Sequence, residues 1–354
     1  MKPYHNFNFF YFSILLLIFF SLNINAQKKR NFRVHTIAFY NVENLFDTVN
    51  DPKKNDEASP IMELKTDRDK IYSKKLENIA IAISKIGFKT SKNSPAVIGI
   101  CEVENRKVIE DLANHSALIA KNYAIVHFES PDERGIDVAL MYQKSLFQPI
   151  NSSSHEIKLL NSDGERDYTR DVLLVSGFLE NDLIHVLVNH WPSRSGGEAR
   201  SRSKREAAAA VNKKLIDSLQ FKDANAKIFL MGDLNDNPTN SSLKKILKTK
   251  GERERVRAKD LFNPMESLFK KGLGSNAYRD GWSLFDQIIV SASLIEKDYS
   301  SFRFYKAGIF NEQFLINQKG QFKGYPFRSF TWGGFTNGYS DHFPVYINLI
   351  KEVN

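Results

Sequence analysis

The chain has 354 residues, a formal net charge of +9 and 42% hydrophobic residues, with 27 phenylalanines among them. This composition excludes a disordered chain, and the length suits one large two-sheet domain. The basic charge favours contact with a polyanion, namely nucleic acid, an anionic membrane or a phosphorylated metabolite; ordinary surface charge is the alternative. The single cysteine, Cys101, excludes a disulfide within a monomer.

An apolar block near the N-terminus predicts export. Residues 9–22 are almost wholly apolar, and a polar run over residues 27–30 follows Ala26. A block of about fourteen residues suits the core of a signal peptide better than a membrane span of about twenty. We therefore expect residues 1–26 to be a signal peptide and residues 27–354 to be a single secreted or periplasmic domain. The alternative is an uncleaved N-terminal segment that anchors the protein to a membrane.

Recurring apolar runs, rich in β-branched and aromatic residues, predict strands. They cover residues 34–39, 96–100, 123–128, 137–142, 172–178, 183–188, 227–231, 285–290, 302–305 and 345–350. Apolar residues at helical spacing from Leu76 to Ile86 predict a helix that ends at Gly87, and a second helix is predicted over residues 198–219. The charged, aperiodic segment 47–70 predicts a long surface loop. Many strands with few helices favour a β-sandwich flanked by helices over a βαβ alternation.

Polar side chains stand where several of these apolar runs stop or start. They are Asn41, Glu102, His190, Asp233, Asn235, Asp341 and His342. Taken singly, each has a structural explanation, because Asn and Asp at strand ends often form turns or caps. Asp286 lies inside an apolar run, where an unpartnered carboxylate would be costly, and this favours a functional role or a buried pair. The hard oxygen ligands at Asp233 and Asp341 suit Mg²⁺ and metal-assisted hydrolysis.

In this order, the segments resemble the endonuclease/exonuclease/phosphatase family, which includes deoxyribonuclease I, abasic-site endonucleases, sphingomyelinases and inositol-polyphosphate phosphatases. The resemblance runs from about Ile37 to Tyr346, and residues 41–47 and 189–194 are most similar to secreted bacterial nuclease-like members. It implies an α/β (α+β) fold: a four-layer, deoxyribonuclease I-like sandwich of two packed mixed β-sheets flanked by helices. It also implies Mg²⁺ as the cofactor, with Mn²⁺ or Ca²⁺ as alternatives.

The resemblance implies roles for the residues that would hold the metal and the attacking water. Asn41 and Glu102 match the metal-binding Asn and Glu of the family, and Asp341 matches a second acid on the metal side. Asp233 matches the acid that orients or deprotonates the attacking water. Asn235 matches the amide that holds a phosphate oxygen.

The resemblance also implies two catalytic histidines. His342 matches the catalytic histidine, Asp286 matches its partner acid, and His190 matches a second histidine of the deoxyribonuclease-like branch. Arg170 matches a phosphate-contacting arginine. Arg194 begins a basic stretch after the His190 strand end and is predicted to contact substrate phosphate; the alternative for this stretch is a solvated helix start.

Three further residues lie beside the predicted ligands. Glu43 and Glu104 follow Asn41 and Glu102 at a spacing of two, which would place them on the same face of their strands. They would either help to bind a second cation or serve as a cap or surface ion pair. Cys101 alternates to the opposite face from Glu102, which predicts core packing.

The expected function is that of an exported, Mg²⁺-dependent phosphodiesterase, most simply an endonuclease that hydrolyses DNA or RNA. It would be a monomer, with nucleic acid as its substrate, no obligate protein partner and no stable membrane span. The enzyme alternative is a phosphoesterase for lipid or small phosphorylated substrates, similar to a sphingomyelinase or an inositol-phosphate phosphatase. The aromatic-rich segment 322–332 keeps that alternative open, since aromatic side chains would meet lipid or stack on bases. A third hypothesis is a catalytically inactive binding protein.

Overall fold

The computed structural model describes residues 30–353, so the predicted signal peptide lies outside the described residues. The strands are β1 (Asn31–Leu45), β2 (Val97–Val103), β3 (Tyr123–His127), β4 (Asp137–Gln143), β5 (Phe147–His155), β6 (Leu159–Leu160), β7 (Arg166–Asp167), β8 (Val172–Leu179), β9 (Asp182–His190), β10 (Lys227–Asp233), β11 (Leu261–Phe262), β12 (Asn276–Tyr278), β13 (Gly281–Ser283), β14 (Asp286–Ser291), β15 (Arg303–Ile309), β16 (Phe330–Thr331), β17 (Gly334–Phe335) and β18 (Val345–Val353). The helices are α1 (Arg68–Lys85), α2 (Phe88–Ser91), α3 (Arg106–Ala113), α4 (Glu198–Lys222) and α5 (Met265–Lys270).

Two six-stranded sheets carry the architecture. The first has the strand order β15-β18-β1-β2-β4-β3, and the second has the order β11-β14-β10-β9-β8-β5. In the first sheet β1 and β2 are parallel, and in the second β9 and β10 are parallel. The other neighbours in both sheets are antiparallel. Both sheets are therefore mixed, as the resemblance implies.

Alternation along the strands separates three apolar layers. Phe39 of β1 faces the second sheet and lies in one buried cluster with Val188 and Met231. The next residue, Tyr40, points the other way into a cluster formed with α1 and α3. On the far side of the second sheet, Ala208 of α4 packs in a third cluster. The order helix, sheet, sheet, helix confirms the predicted four-layer sandwich.

The two sheets approach closely at Gly99 in β2. A Cβ atom built there would lie 2.7 Å from the Met231 sulfur and 3.0 Å from the Val188 Cγ1. Cys101, two residues on, is fully buried in the same inter-sheet cluster, which confirms its predicted role in packing. Small side chains on β2 thus allow the carboxyl ends of both parallel pairs to come together.

Most of the predicted elements are present. The helix predicted from residue 76 is part of α1, and the helix predicted over residues 198–219 is α4. The predicted loop 47–70 contains one short 3-10 turn, Asp56–Ala58, before α1 begins at Arg68. Strand β5 and helix α3 were not predicted. Within the part of the chain that the structure describes, no helix is both long and apolar enough to cross a membrane.

Candidate active site

The register of the second sheet assembles half of the candidate site. Asp233 is the last residue of β10, and it stands opposite His190 at the end of β9 and Asp286 at the start of β14. Since the carboxyl ends of parallel strands meet at one edge of a sheet, the three side chains are neighbours there. All three residues are at least 95% buried.

The first sheet contributes an amide and a carboxylate that join Asp233. The Asn41 Nδ2 donates to the Glu102 Oε1 at 3.0 Å and to the Asp233 Oδ2 at 3.1 Å. The Asn41 Oδ1 accepts the backbone N–H of Glu43, and the Glu102 Oε2 accepts the backbone N–H of Asn44 at 3.0 Å. Asn41 therefore bridges two carboxylates that belong to different sheets.

Strained backbone aims the residues of the first sheet. Glu43, Asn44 and Glu102 adopt left-handed conformations, with φ of 52°, 51° and 61°. The pairing of β1 with β2 and of β2 with β4 is irregular at these positions. Each such conformation costs about 1–3 kcal/mol for a residue other than glycine, and bulges next to active sites typically re-aim a side chain. The irregularity turns Glu102 toward the edge where Asp233 lies.

His342 and Asp286 form a buried charged pair. The His342 Nδ1 lies 2.6 Å from the Asp286 Oδ2, and the His342 Nε2 lies 3.9 Å from the Asp233 Oδ2. Burial alone lowers the pKa of His342, but the bonded Asp286, with Asp233 and Asp341 nearby, outweighs burial and raises this pKa well above its usual value. His342 is therefore an imidazolium at neutral pH, and Asp286 has the partner that its position in an apolar run requires.

His190 has the opposite electrostatics. Its Nε2 lies 3.8 Å from both the Glu102 Oε1 and the Asp233 Oδ2, while its buried Nδ1 has no hydrogen-bond partner within the described chain. Burial, followed by the positive charges of Arg170 and Arg134, lowers the pKa of His190 well below its usual value. His190 is therefore a neutral imidazole.

Asp233 sits between these groups. Burial raises its pKa to about 7 despite the adjacent histidinium, and the nearby carboxylates of Asp286 and Glu102 add to the rise. Oxygen and nitrogen atoms of Glu102, His190 and Asp233 lie within 4.8 Å of one another. A carboxylate-rich donor set of this kind fits a hard divalent cation, whose charge would favour ionised Asp233.

Three residues that were predicted to contact phosphate lie at the edge of the site. The Asn235 Nδ2 and the Arg170 Nη2 both donate to the Trp191 carbonyl, at 3.0 and 2.8 Å. Arg170 is buried and also binds Asp132. Arg194 donates to the Asn235 carbonyl at 2.8 Å. The structure thus brings these residues to the site, but their polar groups bind the protein itself.

Asp341 lies at the edge of the site and pairs with an arginine. The Arg328 Nη2 is 3.3 Å from the Asp341 Oδ2, and the same arginine binds Glu43. Glu104 accepts the backbone N–H of Asp47 at 2.7 Å, and the helix α3 that follows is capped by Asn105 instead. Sequence reasoning missed Arg328, because a lone basic residue in a loop gives no signal.

A second missed group lies beneath His190. The Asn189 Oδ1 accepts the Trp191 indole N–H at 2.9 Å and the Asn212 amide at 2.7 Å. These bonds tie β9 to helix α4 directly below the catalytic edge. The position of Asn189 next to His190 was the signal in the sequence, but an Asn at a strand end usually forms a turn.

The two-sheet sandwich and the carboxylate–histidine edge define a phosphoesterase of the deoxyribonuclease I type. The model of the Endonuclease/Exonuclease/phosphatase family matches residues 36–351, and the chain therefore belongs to this family. Its members are phosphodiesterases and phosphatases that typically depend on a divalent metal. A comparison with curated proteins found no match.

Solved structures share the fold at low sequence identity. Truncated TDP2 from Caenorhabditis elegans is 15% identical with a TM-score of 0.53, over 89% of this chain and 97% of that chain. TDP2 from D. rerio, complexed with a single-stranded DNA product, is 13% identical with a TM-score of 0.52, over 89% and 98%. A mannosyl-6-phosphatase from Bacteroides thetaiotaomicron is 16% identical with a TM-score of 0.53, over 89% and 99%.

Proposed function

We propose that the chain is an exported, Mg²⁺-dependent phosphodiesterase that cleaves internal bonds of DNA or RNA. The observation that carries this substrate class is a cleft of about 610 Å³ whose lining includes Arg170, which donates to the carbonyl of Trp191 next to His190. Its walls carry Arg134, Arg200 and Lys204 together with the acids Asp132, Glu133 and Asp167, and Lys204 pairs with Asp167. A cleft next to the candidate site, with the exposed Arg200 on its wall, suits a polyanion longer than a single phosphate ester.

Residues of different charge have different roles in the proposed hydrolysis. When bound at Glu102, whose Oε1 accepts from the Asn41 amide, Mg²⁺ would supply Lewis-acid polarisation of a phosphoryl oxygen. Asp233, with its pKa near 7, is suited to accept a proton from the attacking water. The imidazolium of His342 donates a charge-assisted hydrogen bond to the phosphoryl group, and Asp286 holds its ring in place. Export rests on the apolar block over residues 9–22.

A second candidate substrate is a lipid phosphodiester. Trp332 is fully exposed between β16 and β17, and Tyr278 is 71% exposed at the end of β12. Aromatic side chains of this kind favour the membrane interface as well as nucleic-acid bases. These exposed aromatic side chains support the lipid alternative, whereas the cleft beside the site supports nucleic acid.

The test is hydrolysis of competing substrates by the purified protein. Supercoiled DNA, RNA, sphingomyelin and inositol phosphates are each incubated with Mg²⁺ or with chelator. Nicking of DNA or cleavage of RNA that needs Mg²⁺ and is lost in Asp233→Ala is expected. Asp217→Ala, which removes an exposed acid of α4, is the matched control and should remain active. Turnover of lipid without cleavage of nucleic acid would overturn the nuclease proposal.

The role of the cleft is tested separately, by measuring the binding of nucleic acid. Arg200→Gln should weaken binding of a single-stranded oligonucleotide and reduce the slope of log K against log salt by about 1. The exposed Arg255, far along the chain and paired with Glu252, provides the control substitution Arg255→Gln. An unchanged salt slope in Arg200→Gln would remove the cleft from the substrate path.

A further inference from the structure

Two carboxylates at the edge of the site share one arginine. The Arg328 Nε and Nη2 each lie 3.2 Å from the Glu43 Oε1, and the Nη2 lies 3.3 Å from the Asp341 Oδ2. Glu43 is 2% exposed, whereas the Arg328 side chain is 51% exposed. The guanidinium thus caps a buried acid and an open one, and its outer edge faces solvent.

The backbone next to Arg328 is fixed from below by a second cation. Lys75 is fully buried, and its Nζ donates to the Val42 carbonyl at 3.0 Å and to the Ser329 Oγ at 2.6 Å. The backbone N–H of Ser329 donates to the Glu43 Oε2 at 2.5 Å. Both oxygens of Glu43 are therefore occupied by donors of the segment that carries Arg328.

This arrangement gives both acids a cationic partner without an ion. Arg328 contacts Glu43 and Asp341, and Lys75 joins the same network through Ser329. A cation that entered between Glu43 and Asp341 would have to displace the guanidinium and compete with the bond from Ser329. The cluster of Glu102, His190 and Asp233 has no such arginine among its hydrogen-bonding partners within residues 30–353.

We infer that Arg328 takes the place of a second divalent cation, so that the site holds one metal ion, at Glu102, and Asp341 anchors Arg328 instead of binding metal. The inference rests on the proposed metal-dependent function and specifies the metal count of that site. Arg328 is then a positioning residue that keeps a fixed positive charge beside the substrate. Glu43 pairs with Arg328 as a buried acid, whereas the prediction was a cap or a surface ion pair.

The test counts Mn²⁺ ions bound to the purified protein by electron paramagnetic resonance of the free ion. We expect one Mn²⁺ per chain in the wild type and in Arg328→Lys, and two in Arg328→Gln. Adding Asp341→Asn to Arg328→Gln should return the count to one, because the freed acid pair is lost. Two ions in the wild type, or one in Arg328→Gln, would overturn the inference.

Two controls keep the outcome decisive. Arg303 also lies between two acids, Glu296 and Asp298, so Arg303→Gln shows whether any freed acid pair binds Mn²⁺; its count should stay at one. Glu102→Gln should bind no Mn²⁺. One ion remaining in this variant would place the metal at Asp341 and overturn the inference. This outcome can be read even if Arg328→Gln fails to fold. One ion per chain without hydrolysis of any phosphodiester would refute the proposed function but support this metal count.

Discussion

Replacing Asp286 by Asn should lower the pKa of His342 and thereby shift the pH dependence of catalysis. The bond between the Asp286 Oδ2 and the His342 Nδ1 is 2.6 Å long and fully buried. A hydrogen bond to a charged group contributes about 1.5–3 kcal/mol, and one pKa unit corresponds to about 1.4 kcal/mol. Asp286→Asn should therefore destabilise the imidazolium by about that free energy and lower the pKa of His342.

The sign of the kinetic effect follows from the charged form of His342. Because the raised pKa keeps His342 protonated at neutral pH, deprotonation of His342 should reduce the activity of the wild type at alkaline pH, whereas protonation of Asp233, whose pKa is about 7, should reduce it at acidic pH. In Asp286→Asn the alkaline limb of kcat/KM should move to lower pH, and the loss of kcat/KM there should be about 10- to 100-fold. At acidic pH the loss should be smaller.

The assay combines an NMR titration of the His342 ring protons with the pH profile of kcat/KM. The matched control is Glu180→Gln, because the Glu180 Oε1 lies 2.7 Å from the Nε2 of His35, and Glu180 lies between β8 and β9, at the opposite end of β9 from His190. The control should leave both the His342 titration and the profile unchanged. If Asp286→Asn leaves the pKa of His342 unchanged, the electrostatic account of this pair is wrong.

Three other substitutions probe packing, a buried ion pair and metal binding. Gly99→Val should lower the free energy of unfolding by about 1–3 kcal/mol in urea denaturation, since its Cβ would meet Met231 at 2.7 Å; unchanged stability would show that the sheets separate easily there. Arg205→Met should lower the free energy of unfolding by about 3 kcal/mol, because the 2.7 Å bond to fully buried Asp236 is lost. A more stable variant would contradict this. Mg²⁺ at about 100 times its Kd should stabilise the wild type by about 2.7 kcal/mol, read as a rise in Tm, and the same rise in Glu102→Gln would place the ion elsewhere.

The interior of the sandwich was predictable because its strands obey the simple alternation rule. Phe39 and Tyr40 point into different apolar layers, and Cys101 follows the same rule. Strand β5 was not predictable, because it carries Pro149 and several serines and lies at the edge of its sheet, half exposed to solvent. An edge strand packs on one neighbour alone and needs no continuous apolar run.

The candidate site was predictable in its members but not in all of their contacts. The pairing of His342 with Asp286 was expected, and the structure places them 2.6 Å apart. The roles predicted for Arg170 and Asp341 depend on where long side chains point, and strand patterns do not encode this. Arg170 turns inward to Asp132, and Asp341 turns to Arg328. The two contacts join residues that are 38 and 13 positions apart. The spacing of residues within one strand therefore could not predict them.

Each sheet contributes half of the site, and the two halves depend on different backbone geometry. This difference explains why only one half can be predicted from the sequence. In the second sheet, regular register alone sets His190, Asp233 and Asp286 side by side, and a shift by one residue would turn Asp233 to the other face. In the first sheet, residues 42–44 of β1 stand opposite the single residue Glu102 of β2, and the pairing of β2 with β4 also skips Glu102. Regular alternation would leave Glu102 facing the outer helices, opposite Cys101. The left-handed backbone at Glu102 therefore determines whether the carboxylate proposed to bind metal faces the site at all, and the apolar pattern of β2 gives no sign of it.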